Sequence, residues 1–191
     1  GQTVFVSLHP LPLPNERDGN RAVVVTDLTE YMQADAERRL LQSVVEHSEE
    51  PIVITDGQIE PPGPHILYVN RAYERLTGYL AEELIGKSPD LLQGAASERH
   101  TLDRVRAALS AGKSITAETL NHRKGGEPYW VEWNITPVRD DQGHVSQWVG
   151  MLRDTTSRHE SEMRLRQQNE HLAVLHETTL GIVNHLDLDS L

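Results

Sequence analysis

The 191-residue chain has no cysteine. That excludes disulfides, thiolate metal sites, a cysteine nucleophile and any thiol photochemistry, and it accords with the cytoplasm as the expected compartment. Phenylalanine occurs once. No apolar run approaches the roughly 20 residues of a membrane span, and none resembles a signal peptide. Positive charge is scarce, with 18 Lys and Arg against 29 Asp and Glu and a formal net charge of −11. Such a chain repels phosphate backbones, so no nucleic-acid partner is expected. The ten histidines include no His-x-x-x-His helix motif, and no metal is expected. His100 is the one histidine placed for a haem iron. No glycine-rich phosphate loop, nucleophile elbow or catalytic triad is visible, so no catalytic residue is assigned and the chain is not expected to be an enzyme. The adjacent pairs Glu49-Glu50 and Glu82-Glu83 cannot face one another on a helix, which makes them solvated charge.

What remains is 37% apolar, enough for one small core, in a length that allows one domain with flanking pieces. Residues 3–8 and 21–26 read as strands around a turn at 14–20. An isolated hairpin of this kind is marginal in water. From Thr29 to His47 the pattern is helical, with Leu40, Leu41, Val44 and Val45 as its stripe and Asp27 or Thr29 as its cap. Strands follow at 52–54 and 66–69, separated by a loop with three prolines and two glycines at 57–64. Residues 70–109 read as short helices, the longest at 98–109 with Leu102, Val105 and Leu109 on one face. Strands at about 115–123, 127–138 and 144–153 close the set, turning at Gly125-Gly126 and Asp141-Gln142-Gly143. This order predicts an α+β fold, an antiparallel sheet with helices gathered on one side.

From Ser157 the chain is helical again. Leu165, Gln168, Leu172, Leu175, Thr179, Ile182 and Leu186 alternate in steps of three and four, the seam of a two-stranded coiled coil. The other reading of that stripe is a single helix packed on its own domain. An internal repeat at an offset of 127 relates Pro10 and Asp27-Leu28-Thr29 to Pro137 and Asp154-Thr155-Thr156. In both copies an Asp-x-Thr follows an apolar strand and opens a charged helix, which couples sheet strain to the helix start.

Four separated motifs in order resemble the PAS sensor family. They are Tyr68 to Tyr79 (YVNRAYERLTGY), Glu82 to Lys87 (EELIGK), Asn121 to Gly126 (NHRKGG) and Arg153-Asp154-Thr155-Thr156. The resemblance implies a PAS fold over 48–156: a five-stranded antiparallel sheet with helices on one face, flanked by long signalling helices at 30–47 and 157–191. Residues 1–29 resemble the last hairpin of a preceding PAS-like domain. Residues 171–191 resemble the entry helix of a GAF domain. The implied role is that of a sensory module in a multidomain signalling protein, with a histidine kinase or cyclic-dinucleotide enzyme outside this chain. The implied partners are those neighbouring domains and a second copy, met through the helices and the outer sheet face.

Within the family, the loop at 56–65 and Leu92-Gln93-Gly94 are similar to the flavin-binding LOV branch. The resemblance implies Gln93, Arg106 and Asn121 as contacts to a flavin, FMN or FAD. Against this, the photoreactive cysteine position holds Pro89, and the phosphate-binding arginine position holds Asp90. Ser88, Val131 and Leu152 replace further polar contacts. Gln93 and Asn121 otherwise serve backbone groups, and Arg106 otherwise pairs with Asp103 or Asp90. Strand alternation points Ile115, Ala117, Thr119, Asn121, Tyr129, Val131, Trp133, Ile135, Trp148, Gly150 and Leu152 inward. It points Trp130, Val138, Val145, Val149 and Met151 outward, where the helix at 30–47 or a partner is expected to cover them. The aromatic residues read as packing rather than an electron relay. The alternative function is a ligand-free dimerisation and coupling module with a side-chain-filled core.

Overall fold

The computed structural model describes residues 4–11, 22–61, 63–94 and 97–188. The chain divides between Ser48 and Glu49 into two compact units. The first contains strands β1 (Val6–Leu11) and β2 (Ala22–Asp27), paired antiparallel, and helix α1 (Thr29–Glu46). The N-cap position is Leu28, which supplies no side-chain cap, and Asp27 one residue earlier holds the helix start instead, its Oδ1 accepting from the Thr29 amide at 2.9 Å. No residue of α1 is buried, and Leu40, Leu41 and Val44 are exposed along its apolar stripe. The predicted turn at 14–20 lies outside the described residues.

The second unit holds a five-stranded antiparallel sheet in the order β4-β3-β7-β6-β5, with β3 at Ile52–Asp56, β4 at Ile66–Val69, β5 at Ile115–His122, β6 at Pro128–Arg139 and β7 at Val145–Asp154. The expected α+β architecture is therefore present. Helices α2 (Arg71–Thr77), α3 (Ala81–Leu84) and α4 (Arg99–Ser110), with a 3-10 turn at Pro89–Leu92, connect β4 to β5. Helix α5 spans Thr156–Leu188.

Local chemistry explains these elements. Asn70 is fully buried, and its Oδ1 accepts from the amides of Tyr73 and Ile52 while its Nδ2 donates to the Glu50 carbonyl. One side chain thus caps α2 and ties it to the start of β3. Gly78 ends α2 with φ +76°, the left-handed conformation that lacks a Cβ penalty only in glycine. Thr101, Val105 and Leu109 recur every four residues, so one stripe of α4 is buried.

The core forms two clusters. The larger joins Ile66, Tyr73, Leu84, Tyr129, Val131 and Leu152 with their neighbours. The smaller joins Val105, Leu109, Ala117 and Trp148. Full burial of each large aliphatic side chain contributes roughly 1.5–3 kcal/mol. The inward residues of β5, β6 and β7 follow the predicted alternation, with one exception. The β6–β7 register shifts between Val138 and Arg139, which turns Val145 against the inner cluster rather than outward.

The internal repeat is present as a repeated set of hydrogen bonds. Thr29 Oγ1 accepts from the Phe5 amide at 3.0 Å, and Thr156 Oγ1 from the Trp130 amide at 3.0 Å. The Leu28 amide donates to the Phe5 carbonyl, and the Thr155 amide to the Trp130 carbonyl. Asp154 Oδ1 accepts from the Thr156 amide as Asp27 does from Thr29. Val6 pairs with Asp27 and Val131 with Asp154, so the offset is 125 on the first strand and 127 on the second. The equivalent of Pro10 is consequently Ile135 rather than Pro137, because the second hairpin is two residues longer.

Candidate functional site

A cavity of about 140 Å³ lies where the two core clusters fail to meet. Val53, Tyr73, Leu92 and Leu152 of the larger cluster line it, as do Val105, Leu109 and Trp148 of the smaller. Trp133 packs against both clusters and forms part of the wall. The loop between β3 and β4 supplies Ile59, Gly63 and Pro64. Asp56 pins both ends of that loop, its Oδ1 accepting from the amides of Gln58 and His65 and its Oδ2 lying 3.0 Å from His65 Nδ1. Burial pushes the Asp56 carboxyl up, but the His65 and Gln58 bonds pull harder and hold it below its usual range.

Gln93, Arg106 and Asn121 all line this cavity, so the fold brings the three together. Gln93 and Asn121 also form an isolated antiparallel bridge through their backbones. Their side chains differ in state. Gln93 Nε2 donates to Asp90 Oδ1 at 2.7 Å. Arg106 lies 3.8 Å from Asp90 and 3.5 Å from Asp103, so both readings of its ion pair hold at once. Asn121 is 2% exposed and its Oδ1 has no partner. Its amide lies beside the Tyr129 hydroxyl without an aligned hydrogen bond. Burial pushes that hydroxyl up to about 12, against a downward pull from Asn121 and Arg123. Trp148 Nε1 is a second buried polar atom of the wall with no partner. His100 is exposed and does not line the cavity, which removes it as an axial ligand there.

A phosphorylated flavin does not fit these residues. The chain has no thiol for an adduct. At the position implied for a phosphate-binding arginine, Asp90 presents a carboxylate that already holds Gln93 and faces Arg106. Val131 and Leu152, at implied ring contacts, are buried apolar groups. The unpartnered Asn121 Oδ1 and Trp148 Nε1 suit the polar edge of a ring.

The cavity is wired to α5. Trp148, Gly150 and Leu152 of β7 form its wall, and β7 ends in Asp154, whose Oδ1 accepts from the Thr156 amide. Arg123 donates to Asp154 Oδ2 at 2.9 Å and to the Leu76 carbonyl, and lies over the Tyr129 ring. Burial pushes the Asp154 carboxyl up, but Thr156 and Arg123 outweigh it and hold the group below its ordinary value.

Sequence reasoning missed a second tie. Glu118, on the outer side of β5, receives the Thr155 hydroxyl and Arg158 Nη2, each at 2.5 Å on Oε1. His159 Nε2 lies 3.3 Å from the same oxygen, and its ring stacks on Trp130 with centroids 4.1 Å apart. The available signal was a lone carboxylate at an outward strand position and a cation one turn into the helix. Neither is distinctive without the register.

The sequence profile described as PAS domain matches residues 49–157. The blue-light-activated histidine kinase of Brucella anthropi is 33% identical over 132 residues, covering 69% of this chain and 26% of that protein. Its namesake from Rhizobium johnstonii is 32% identical over 160 residues, covering 80% of this chain and 45% of that protein. The chain therefore spans less than half the length of these curated relatives. The solved structure of an RNA-binding Light-Oxygen-Voltage receptor superimposes with a TM-score of 0.64 at 25% identity, over 91% of this chain and 45% of that one.

Proposed function

The chain belongs to the PAS domain family, and from that premise we propose that it senses through a small ligand in the cavity and reports occupancy through α5. The observation that carries this reading is the double duty of β7. The strand that lines the cavity with Trp148, Gly150 and Leu152 also caps the output helix through Asp154. A ligand that shifts β7 must move that cap or strain it. The relatives named as blue-light-activated histidine kinases support a parent protein of the two-component type. We place the effector, a histidine kinase or a cyclic-dinucleotide enzyme, outside this chain, and the whole protein in the cytoplasm. Among the described residues no helix is long and apolar enough to cross a membrane.

The same reading makes β1, β2 and the capped start of α1 the closing hairpin of a preceding PAS-like domain. The repeated hydrogen bonds at Thr29 and Thr156 support it. A GAF domain is the proposed neighbour beyond α5. A homodimer is the proposed assembly, supported by the exposure of Met163, Leu165 and Leu172 on α5. That exposure also favours a second reading, a coupler that dimerises and sets spacing with no ligand.

Mass spectrometry of whatever co-purifies, together with hydrogen exchange across α5 before and after its removal, separates the two. Sensing predicts an extractable compound and altered exchange at the first turns of α5. Ligand-free protein with α5 exchange indifferent to any added compound favours the coupler.

A further inference from the structure

This inference rests on the reading of the cavity as a ligand site and concerns the class of ligand. Asn121 and Trp148 both line the cavity and are each 2% exposed, and neither Asn121 Oδ1 nor Trp148 Nε1 has a partner. A buried acceptor and a buried donor left unmade both cost free energy, which a ligand with the matching donor and acceptor removes. The remaining wall is largely apolar, with Trp133, Tyr73 and branched aliphatic side chains, the usual lining of a ligand site with few polar groups.

Charge decides what the ring carries. Asp90 is the carboxylate on this wall, and Arg106 is shared between Asp90 and Asp103. Arg99 lines an adjoining cleft with Gly94 and Ser97, not the cavity. A phosphate brought to Arg106 therefore meets two carboxylates that already face it. We propose that the cavity takes an uncharged planar heterocycle, its donor toward Asn121 Oδ1 and its acceptor toward Trp148 Nε1, and that a phosphate on the ligand hinders binding rather than anchors it. The pocket thus departs from the phosphorylated flavin that the LOV resemblance implies.

The test is fluorescence titration of the full chain at low salt with three probes: lumichrome, riboflavin and FMN. Lumichrome and riboflavin are expected to bind within about threefold of one another, and FMN at least about fivefold more weakly. Asp90→Asn should remove the FMN deficit. Asn121→Leu should weaken lumichrome by about tenfold or more without lowering the thermal midpoint, since the unpartnered acceptor leaves with it. Should that variant fail to fold, Trp148→Phe removes the donor and keeps an aromatic, though smaller, ring. FMN binding as tightly as riboflavin, or more tightly, overturns the proposal. So does the failure of all three probes to bind at about 100 µM. Neither result touches the sensing reading, which fails instead if riboflavin binds and exchange across α5 does not change.

Discussion

Replacing Glu118 with alanine unfastens α5 from the sheet without touching the cavity. The Thr155 hydroxyl, in a residue 6% exposed, loses its acceptor, which costs about 1–2 kcal/mol. The Arg158 pair is half-exposed on the arginine side and adds at most about 0.5 kcal/mol. A loss near 2 kcal/mol lowers the melting midpoint of a unit this size by about 5–10 °C. It also raises local opening at the helix start by about ten- to thirtyfold. Amide exchange from His159 to Arg164 reads that opening directly, because the His159 amide is the first in α5 to donate to a backbone carbonyl, that of Thr155. Glu118→Gln keeps an acceptor for Thr155 and drops the charge, so its loss should be about half as large. Burial pushes the Glu118 carboxyl up, but Thr155, His159 and Arg158 outweigh it and leave it below its ordinary value. A carboxyl depressed on folding contributes above its unfolded value and loses that contribution as pH falls through the folded one. The gap between wild type and Glu118→Gln should therefore persist at pH 7 and close toward about pH 3. Exchange at His159 to Arg164 rising less than about threefold in Glu118→Ala would refute the clasp.

The Asp154 cap gives a related expectation. Asp154→Ala should cost about 1–2 kcal/mol by chemical denaturation and weaken the response of α5 to ligand while the β6–β7 amides stay protected; loss of that protection would show a folding role instead. Gly94→Ala drives a Cβ into the His122 ring, so the ring must swing away or the domain loses about 1–3 kcal/mol. An unchanged His122 NMR signal with an unchanged melting point would contradict that approach. Leu165→Glu with Leu172→Glu should convert a sedimenting dimer to monomer, and a wild type monomeric at about 100 µM would remove the dimer from the proposal.

The line between what the residues disclose and what they conceal runs between local pattern and register. Alternation in β5 to β7 placed Thr119, Asn121, Val131 and Leu152 inward, because burial with a period of two leaves a trace in every second residue. It failed at Val145, since a register shift opposite Arg139 leaves no comparable mark. The repeat shows the same division. Asp27 and Asp154 were legible as ties at the helix starts because each contacts a residue only two positions away. The Pro10 correspondence was misplaced because the two hairpins differ in length. The site follows suit. Gln93, Arg106 and Asn121 were recoverable as members of one cavity, but their condition was not. That Asp90 engages Gln93 and faces Arg106, while Asn121 stands unpaired, depends on distances of a few ångströms between a 3-10 turn, a helix and a strand. Glu118 lies three residues from Asn121 on the same strand, one facing the output helix and the other the cavity. An odd spacing along a pleated strand puts two side chains on opposite faces. Strand β5 therefore joins the cavity to α5 a second time, independently of the Asp154 cap. If both routes carry the signal, removing either tie should weaken the response of α5 to ligand, and only removal of both should abolish it.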